Sequence, residues 1–242
     1  MHSSLKVYGH RGSAGTHPEN TLVSFKAAEK AGAHGIEFDV QLSKDDIPVV
    51  IHDEKVDRTT NGVGWVKDYR YEDLCKLDAG GKHSKRYQGE PIPTLEEIFT
   101  WLTTTSLLVN VELKTGYLPY TGIEEKVIAL LHQYNLTERT VVSSFNHYSV
   151  QRVYKQDHRI ETAILLRDKI VHPWEYMKRT GANSIHIEYH ALDEYLLDHT
   201  RKHRIPLRVF TVNTLEQIQH LDAIGCDGIF TDYPAIAVNR NR

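Results

Sequence analysis

The strongest constraint on this chain is a recurrence. Short apolar runs with the two-residue period of strands alternate with segments whose apolar residues recur every three or four positions. Strand-like runs fall at 6–10, 36–41, 107–113, 140–144, 160–166, 184–188, 207–212 and 228–231, and helical patterns at 21–31, 95–102, 122–134, 148–156, 174–180, 192–203 and 215–224. Asn20 or Thr21 is positioned to cap the first helix, and Gly32, Gly181 and Gly225 stand just past the ends of three. Strands that alternate with helices imply a parallel sheet. Eight such units in 242 residues predict an α/β fold, a (β/α)₈ TIM barrel formed by one domain over 1–242. The competing architecture is an open doubly wound sheet, which would want a glycine-rich phosphate turn after an early strand. The early glycines, Gly9, Gly12 and Gly15, follow or flank a His-Arg pair and do not fit that turn.

The regularity breaks after the second strand. In 35–53, GIEFDVQLSKDDIPVVIHD, Ile36, Phe38 and Val40 alternate with Glu37, Asp39 and Gln41, so both carboxylates share one face. Residues 43–46 read as a polar turn and 48–51 as a second apolar run ending in His52-Asp53. Too few residues separate the runs for a parallel crossover, which leaves a hairpin whose return strand brings His52 back toward the two acids. The stretch 54–93 is the least periodic of the chain. Arg58-Thr59-Thr60-Asn61-Gly62 reads as a loop-shaping turn, 71–77 as a short helix and 79–89 as a Gly- and Lys-rich loop. No Ser/Pro-rich spacer brackets it, so it is a small insertion after the strand-two hairpin and not a linker.

Composition removes several function classes. A net charge of −3 offers no broad basic face, which argues against nucleic acid as a partner. No apolar run approaches the ~20 residues that cross a bilayer, so no stable membrane insertion is expected. Cys75 and Cys226 stand far apart without a CxxC spacing, which reads as reduced thiols. Residues 1–6 lack the apolar core of a signal peptide. Together these predict a cytoplasmic protein. The sequence carries no signal for an oligomeric state.

In a (β/α)₈ barrel the chemistry sits at the C-terminal ends of the strands. There the chain places His10-Arg11, Glu37 and Asp39, the hairpin's His52, and Glu112 with Lys114 two positions on. Glu37, Asp39 and Glu112 are hard oxygen donors without cysteine, a set that suits Mg²⁺ or Ca²⁺, with Mn²⁺ also accommodated. Three carboxylates in one cleft repel unless a cation sits among them. Arg11 and Lys114 add fixed positive charge for a phosphate group. His10 and His52 supply imidazoles, which titrate near neutrality, for proton transfer to and from the reacting oxygens. That equipment fits phosphodiester cleavage. Glu19 either supports the following helix through its dipole or orients a neighbour in the pocket. Phe145 and Phe210 read as core or pocket-wall aromatics, and His186 and Asp232 as pocket residues outside the catalytic set.

HRGSAGTHPENTLVSFKAA, GIEFDVQLSKDDIPVVIHDEKVDRTTNGVG, VELK, FTVNTLEQ and GCDGIFTDYP, taken in order from His10 to Pro234, resemble the glycerophosphodiester phosphodiesterase family. The resemblance implies a barrel of the phosphatidylinositol-phospholipase-C-like kind with a small insertion after the His-Asp segment. It implies a divalent metal on Glu37, Asp39 and Glu112, an acid–base pair in His10 and His52, and phosphate contacts from Arg11 and Lys114. The substrate would be a small glycerophosphodiester, released as sn-glycerol 3-phosphate and an alcohol such as choline, ethanolamine or glycerol. Phe210 departs from the pattern, since the family often has Trp before Thr-Val-Asn. Two other functions remain compatible. One is a lysophospholipase D-type activity, for which Trp65, Tyr69, Tyr117 and Tyr120 could line an apolar trough. The other is a non-catalytic barrel that only binds phosphoesters.

Overall fold

A computed structural model describes residues 5–240. Residues 1–4 and 241–242 lie outside it, and with them most of the stretch read as lacking a signal peptide. The strands are β1 Lys6–His10, β2 Gly35–Leu42, β3 Pro48–Val50, β4 Leu108–Leu113, β5 Thr140–Ser144, β6 Glu161–Leu166, β7 Ser184–Glu188, β8 Leu207–Phe210 and β9 Gly228–Thr231. The helices are α1 Leu22–Lys30, α2 Tyr71–Leu74, α3 Leu95–Leu102, α4 Ile123–Gln133, α5 His147–Gln156, α6 Pro173–Thr180, α7 Glu194–His203, α8 Leu215–Ala223 and α9 Pro234–Val238. Eight strands pair in parallel in the order β1-β9-β8-β7-β6-β5-β4-β2, and a β1–β2 pairing closes the ring. β3 runs antiparallel to β2 outside that ring, as the short turn requires. The fold is therefore a (β/α)₈ barrel.

All eight residues of β2 are buried, because one face looks into the barrel and the other onto the helix layer. Ile36, Phe38 and Val40 pack with Phe25 of α1 and Ile98 and Phe99 of α3. Each such burial contributes about 1.5–3 kcal/mol. Strand alternation then turns Glu37, Asp39 and Gln41 toward the barrel axis. On the opposite wall Ile185, Ile187, Val209 and Ile229 face the helices in the same way. α3 is fixed at its start by a capping box between Thr94 and Glu97. Val49, Ile51, Val56, Val66, Leu74 and Ile92 form a separate small core that fastens the 54–93 segment onto the hairpin.

Several boundaries differ from the sequence reading. α7 starts at Glu194 because the Asp193 carboxylate accepts the Leu196 amide and caps it there. β8 ends at Phe210, and Asn213 turns back to bond Asp232. α2 stops at Leu74, before the Asp78 carboxylate gathers the Gly80 and Gly81 amides into a turn. α9 is too short to display a period in the sequence.

Candidate active site

Strand register assembles the acidic centre. His10 lies opposite Glu37, and Asp39 opposite Glu112. Carboxylate oxygens of Glu37, Asp39 and Glu112 lie within 4.8 Å of one another. Two of the three have cationic neighbours. Lys114 Nζ donates to Glu112 Oε1 at 3.0 Å and lies 3.7 Å from Asp39 Oδ1. Arg11 Nε is 3.4 Å from Asp39 Oδ2. Glu37 has only the main-chain N–H of Arg11, at 2.9 Å, with His10 Nε2 4.0 Å away. The electrostatics follow this asymmetry. Burial, then the charges of Asp39 and Glu112, push the Glu37 carboxyl well above its ordinary pKa. Burial would raise Asp39 too, but Arg11 and Lys114 outweigh it and hold Asp39 below the usual carboxylate range. Between these two neighbours, the cluster thus disfavours the anion at Glu37 and favours it at Asp39. Three converging carboxylates, one of them disfavoured as the anion by burial and by the other two, fit a hard divalent ion held by Glu37, Asp39 and Glu112.

The loop after β1 shapes this centre from above. Arg11 and Asn20 both adopt left-handed backbone, at φ 51° and 58°, a conformation that costs a non-glycine residue energy and recurs at functional sites. The turn at Arg11 aims its own amide at Glu37. Asn20 donates from Nδ2 to Asp39 Oδ2 at 2.9 Å, and its Oδ1 accepts the Asp39 amide. Gly12, at φ 86°, lies so close to α1 that a Cβ there would meet Ser24 Oγ at 2.4 Å. Glu19 accepts Arg11 Nη1 at 2.8 Å and both terminal nitrogens of Arg58 at 2.7 Å.

Each histidine is held by an aspartate. His10 Nδ1 lies 2.7 Å from Asp232 Oδ1, and His52 Nδ1 lies 2.6 Å from Asp53 Oδ1. The hydrogen bond from His52, and then those from Arg58, keep Asp53 below its ordinary pKa. For Asp232 the bonds from His10 and Asn213 outweigh the upward pull of burial. An ionised carboxylate only accepts, so in both pairs Nδ1–H donates and Nε2 is left to meet a ligand. Gln41 Nε2 fastens the His52 segment by donating to the carbonyls of Ile51, His52 and Asp53 at 3.0, 3.0 and 2.7 Å.

A hollow of about 390 Å³ opens at this end of the barrel, lined by His10, Arg11, His52, Glu112, Phe145 and Phe210 among others. Phe145 and Phe210 meet edge to face at 5.9 Å. A second hollow of about 450 Å³ adjoins it and shares Glu112, Phe145 and Arg167.

Comparison with known proteins adds a lineage to this geometry. The profile of the Glycerophosphoryl diester phosphodiesterase family matches residues 10–236. The chain belongs to that family. A glycerophosphodiester phosphodiesterase of Caldanaerobacter subterraneus is 44% identical over 96% of each chain, and one of Bacillus altitudinis is 41% identical, again over 96% of each. A phosphodiesterase of Oleispira antarctica, solved with the product sn-glycerol-3-phosphate, is 31% identical and superposes with a TM-score of 0.88 over 98% of this chain and 96% of that one. Membership and these relatives make the chain an enzyme of the glycerophosphodiester phosphodiesterase class.

With the family in place, the residues singled out from sequence sort by position. His10, His52, Glu37, Asp39, Glu112, Arg11 and Lys114 converge at the barrel mouth. Glu19 does not cap α1, whose N-cap is Thr21; it bridges two arginines. His186 is a correction. It is fully buried inside the barrel against Phe230, away from the hollows, where Arg208 bonds its Nε2 at 3.2 Å. Burial, with Arg208 adding to it, sets its pKa well below that of ordinary imidazole. The residue of β7 that reaches the hollow is Glu188, at the strand's end. The turn expected at 58–62 is present, and Arg58 does more than shape it: it ties Glu19 to Asp53. Of the aromatics proposed for a trough, Tyr117 lines the second hollow and Trp65 stacks on it. Tyr69 instead bonds Val63 within the insertion, and Tyr120 bonds Gln41. Asn20, Gln41, Asp53 and Asp232 were not assigned orienting roles from sequence, although Asp53 follows His52 directly and Gln41 shares the Asp39 face.

Proposed function

We propose that the chain hydrolyses glycerophosphodiesters to sn-glycerol 3-phosphate and an alcohol, using a divalent ion and both histidines. The observation that carries this reading is the convergence of three carboxylates within 4.8 Å with two aspartate-held imidazoles at one hollow. Mg²⁺, Ca²⁺ or Mn²⁺ on Glu37, Asp39 and Glu112 would supply Lewis-acid stabilisation to the phosphate and the glycerol hydroxyl. The chain's own groups do the rest. His10, paired with Asp232 beside Glu37, takes the proton of the glycerol hydroxyl through Nε2 as it attacks phosphorus in line. His52, paired with Asp53, protonates the departing alkoxide. A cyclic glycerol phosphate results, and water opens it with the two roles exchanged. Asp53 and Asp232 fix both tautomers and stabilise each imidazolium as it forms. Unpaired thiols at Cys75 and Cys226 suit a reducing cytoplasm. The test is a release assay over glycerophosphocholine, glycerophosphoethanolamine and glycerophosphoglycerol, with chelator and with each metal restored. Turnover that survives exhaustive chelation would reject the metal, and a His52→Ala enzyme as active as the parent would reject the acid–base pair.

One observation favours a second substrate class. A mainly apolar pocket of about 270 Å³ shares Leu166 and Ile170 with the second hollow and could take an acyl chain. Comparable turnover of glycerophosphocholine and its long-chain acylated form would identify lysophospholipase D-type activity.

A further inference from the structure

The second hollow changes in charge from one end to the other. Its inner end adjoins the reacting centre, since Glu112, Phe145 and Arg167 line both hollows. Lys114, whose Nζ lies by Glu112 and Asp39, stands at the same end. Positive charge for a phosphate is therefore gathered at the junction. Apart from Lys114, the residues that line the second hollow alone include Glu54, Tyr117, Asp168 and Ile170, and no cation.

Glu54 is built into that wall. His52 lines the first hollow and Glu54 the second, so residues 52–54 run from the group that protonates the departing alcohol into the second hollow. The backbone there is held on both sides: Gln41 Nε2 donates to the Asp53 carbonyl at 2.7 Å, and the Val66 amide donates to the Glu54 carbonyl at 2.9 Å. An antiparallel bridge pairs Lys55 with Trp65, and Lys55 Nζ lies 5.1 Å over the indole ring, which engages the neighbouring cation. Trp65 in turn stacks on Tyr117, 5.9 Å away and within 7° of parallel. One short bridge of the insertion thus fixes both the half-buried carboxylate and the phenol ring. Trp65 covers one face of Tyr117, and the ring is 70% exposed, which leaves its other face open at the hollow. No cation pairs with Glu54 among the described residues.

A carboxylate beside an open aromatic face suits an ammonium group, quaternary ones included. We infer that the second hollow receives the departing alcohol, and that Glu54 with the open face of Tyr117 selects alcohols bearing an ammonium group, such as choline and ethanolamine, over neutral polyols such as glycerol. A phosphodiester of such an alcohol carries its negative and positive charges in the order in which the hollow carries cations and carboxylates. The inference rests on the phosphodiesterase reading above. It departs from the acyl-chain reading, which sends the glycerol end in this direction and leaves Glu54 without effect on the choice of alcohol. The contact is made in substrate and transition state alike, so selection appears mainly in KM.

The experiment measures kcat and KM, with Mg²⁺ supplied, for glycerophosphocholine, glycerophosphoethanolamine and glycerophosphoglycerol, which share the phosphodiester and differ in the charge of the alcohol. The parent should favour the two cationic substrates in kcat/KM. In Glu54→Gln that preference should shrink by about fivefold, through KM, and in Glu54→Lys it should reverse. Tyr117→Ala should lose about threefold in kcat/KM for glycerophosphocholine. Calorimetric titration with sn-glycerol 3-phosphate, which lacks the departing alcohol, should give Glu54→Gln and the parent affinities within about twofold of each other. A parent that cleaves glycerophosphoglycerol as well as glycerophosphocholine, or a preference that Glu54→Gln leaves unchanged, overturns the assignment alone. So does a Glu54→Gln protein weakened alike for all three substrates and for the product, since Glu54 would then support the fold and not the alcohol. A parent that cleaves none of the three overturns the functional reading, and this inference with it.

Discussion

Replacing Glu37 by glutamine should stabilise the metal-free protein while removing its response to metal. At an effective dielectric constant of about 20, unit charges about 4.8 Å apart repel by about 3.5 kcal/mol. Glu37 faces two such neighbours, for a gross penalty of about 7 kcal/mol. Asp39 and Glu112 recover part of theirs through Arg11 and Lys114, whereas Glu37 has only a main-chain amide. Burial and these two charges raise its pKa, so proton uptake offsets part of the penalty. A glutamine keeps the oxygen that accepts the Arg11 amide and turns an NH₂ donor toward the acids. The net gain should be about 1–2 kcal/mol, or roughly 2–8 °C in Tm for a chain of this length.

Metal should reverse the order. A ligand at a hundred times its dissociation constant stabilises the native state by about 2.7 kcal/mol. The parent should gain that, and Glu37→Gln little of it, having lost a charged donor. Scanning calorimetry near neutral pH, with chelator and then with saturating Mg²⁺, reads both effects on the same two proteins. If Glu37→Gln melts below the parent in chelator, and Mg²⁺ lifts both equally, the acidic cluster is not a metal site and the electrostatic account is wrong.

Asp53→Asn and Asp232→Asn each offer the neighbouring imidazole an amide that can donate, which destabilises the Nδ1–H tautomer; kcat should fall on the order of 10²–10⁴-fold with metal-induced stabilisation intact, as steady-state kinetics and calorimetry would show. Gln41→Leu removes the donor that gathers the carbonyls of residues 51–53, so kcat should fall and hydrogen exchange should quicken over that segment, with little change in sn-glycerol 3-phosphate affinity. Asp157 lies far from the site in sequence, and hydrogen bonds from Arg159, and then from His132, hold it below the usual carboxylate range. A depressed carboxylate contributes stability that is full above its unfolded pKa and is lost as pH falls toward the folded value. The parent should therefore lose stability below about pH 4 more steeply than Asp157→Asn, read from urea midpoints across that range.

The barrel was legible because each of its units announces itself locally. Ile36, Phe38 and Val40 show a strand's period within six residues, and the α3 run from Leu95 to Leu102 shows a helix's with its capping threonine in place. Where local period and local chemistry compete, the chemistry decides. Asp193 starts α7 later than its apolar residues suggest, and Asn213 bends the chain away from β8 although Val212 would extend the strand. α9 contains too few residues for any period to emerge.

The candidate site divides along a different line. Groups carried on strands could be placed from sequence, because parity fixes the face and the barrel fixes the useful end. His186 shows that both conditions are needed: it has the interior parity, but lies two residues short of the end of β7, and it is Glu188 that reaches the hollow. Orienting groups come from loops and obey neither condition. Asp232 reaches His10 across 222 residues, and Arg58 reaches Glu19 across 39. Such pairs exist only because the ring closes β1 against β9 and the insertion meets the β1 loop, as His17 against Tyr87 also shows.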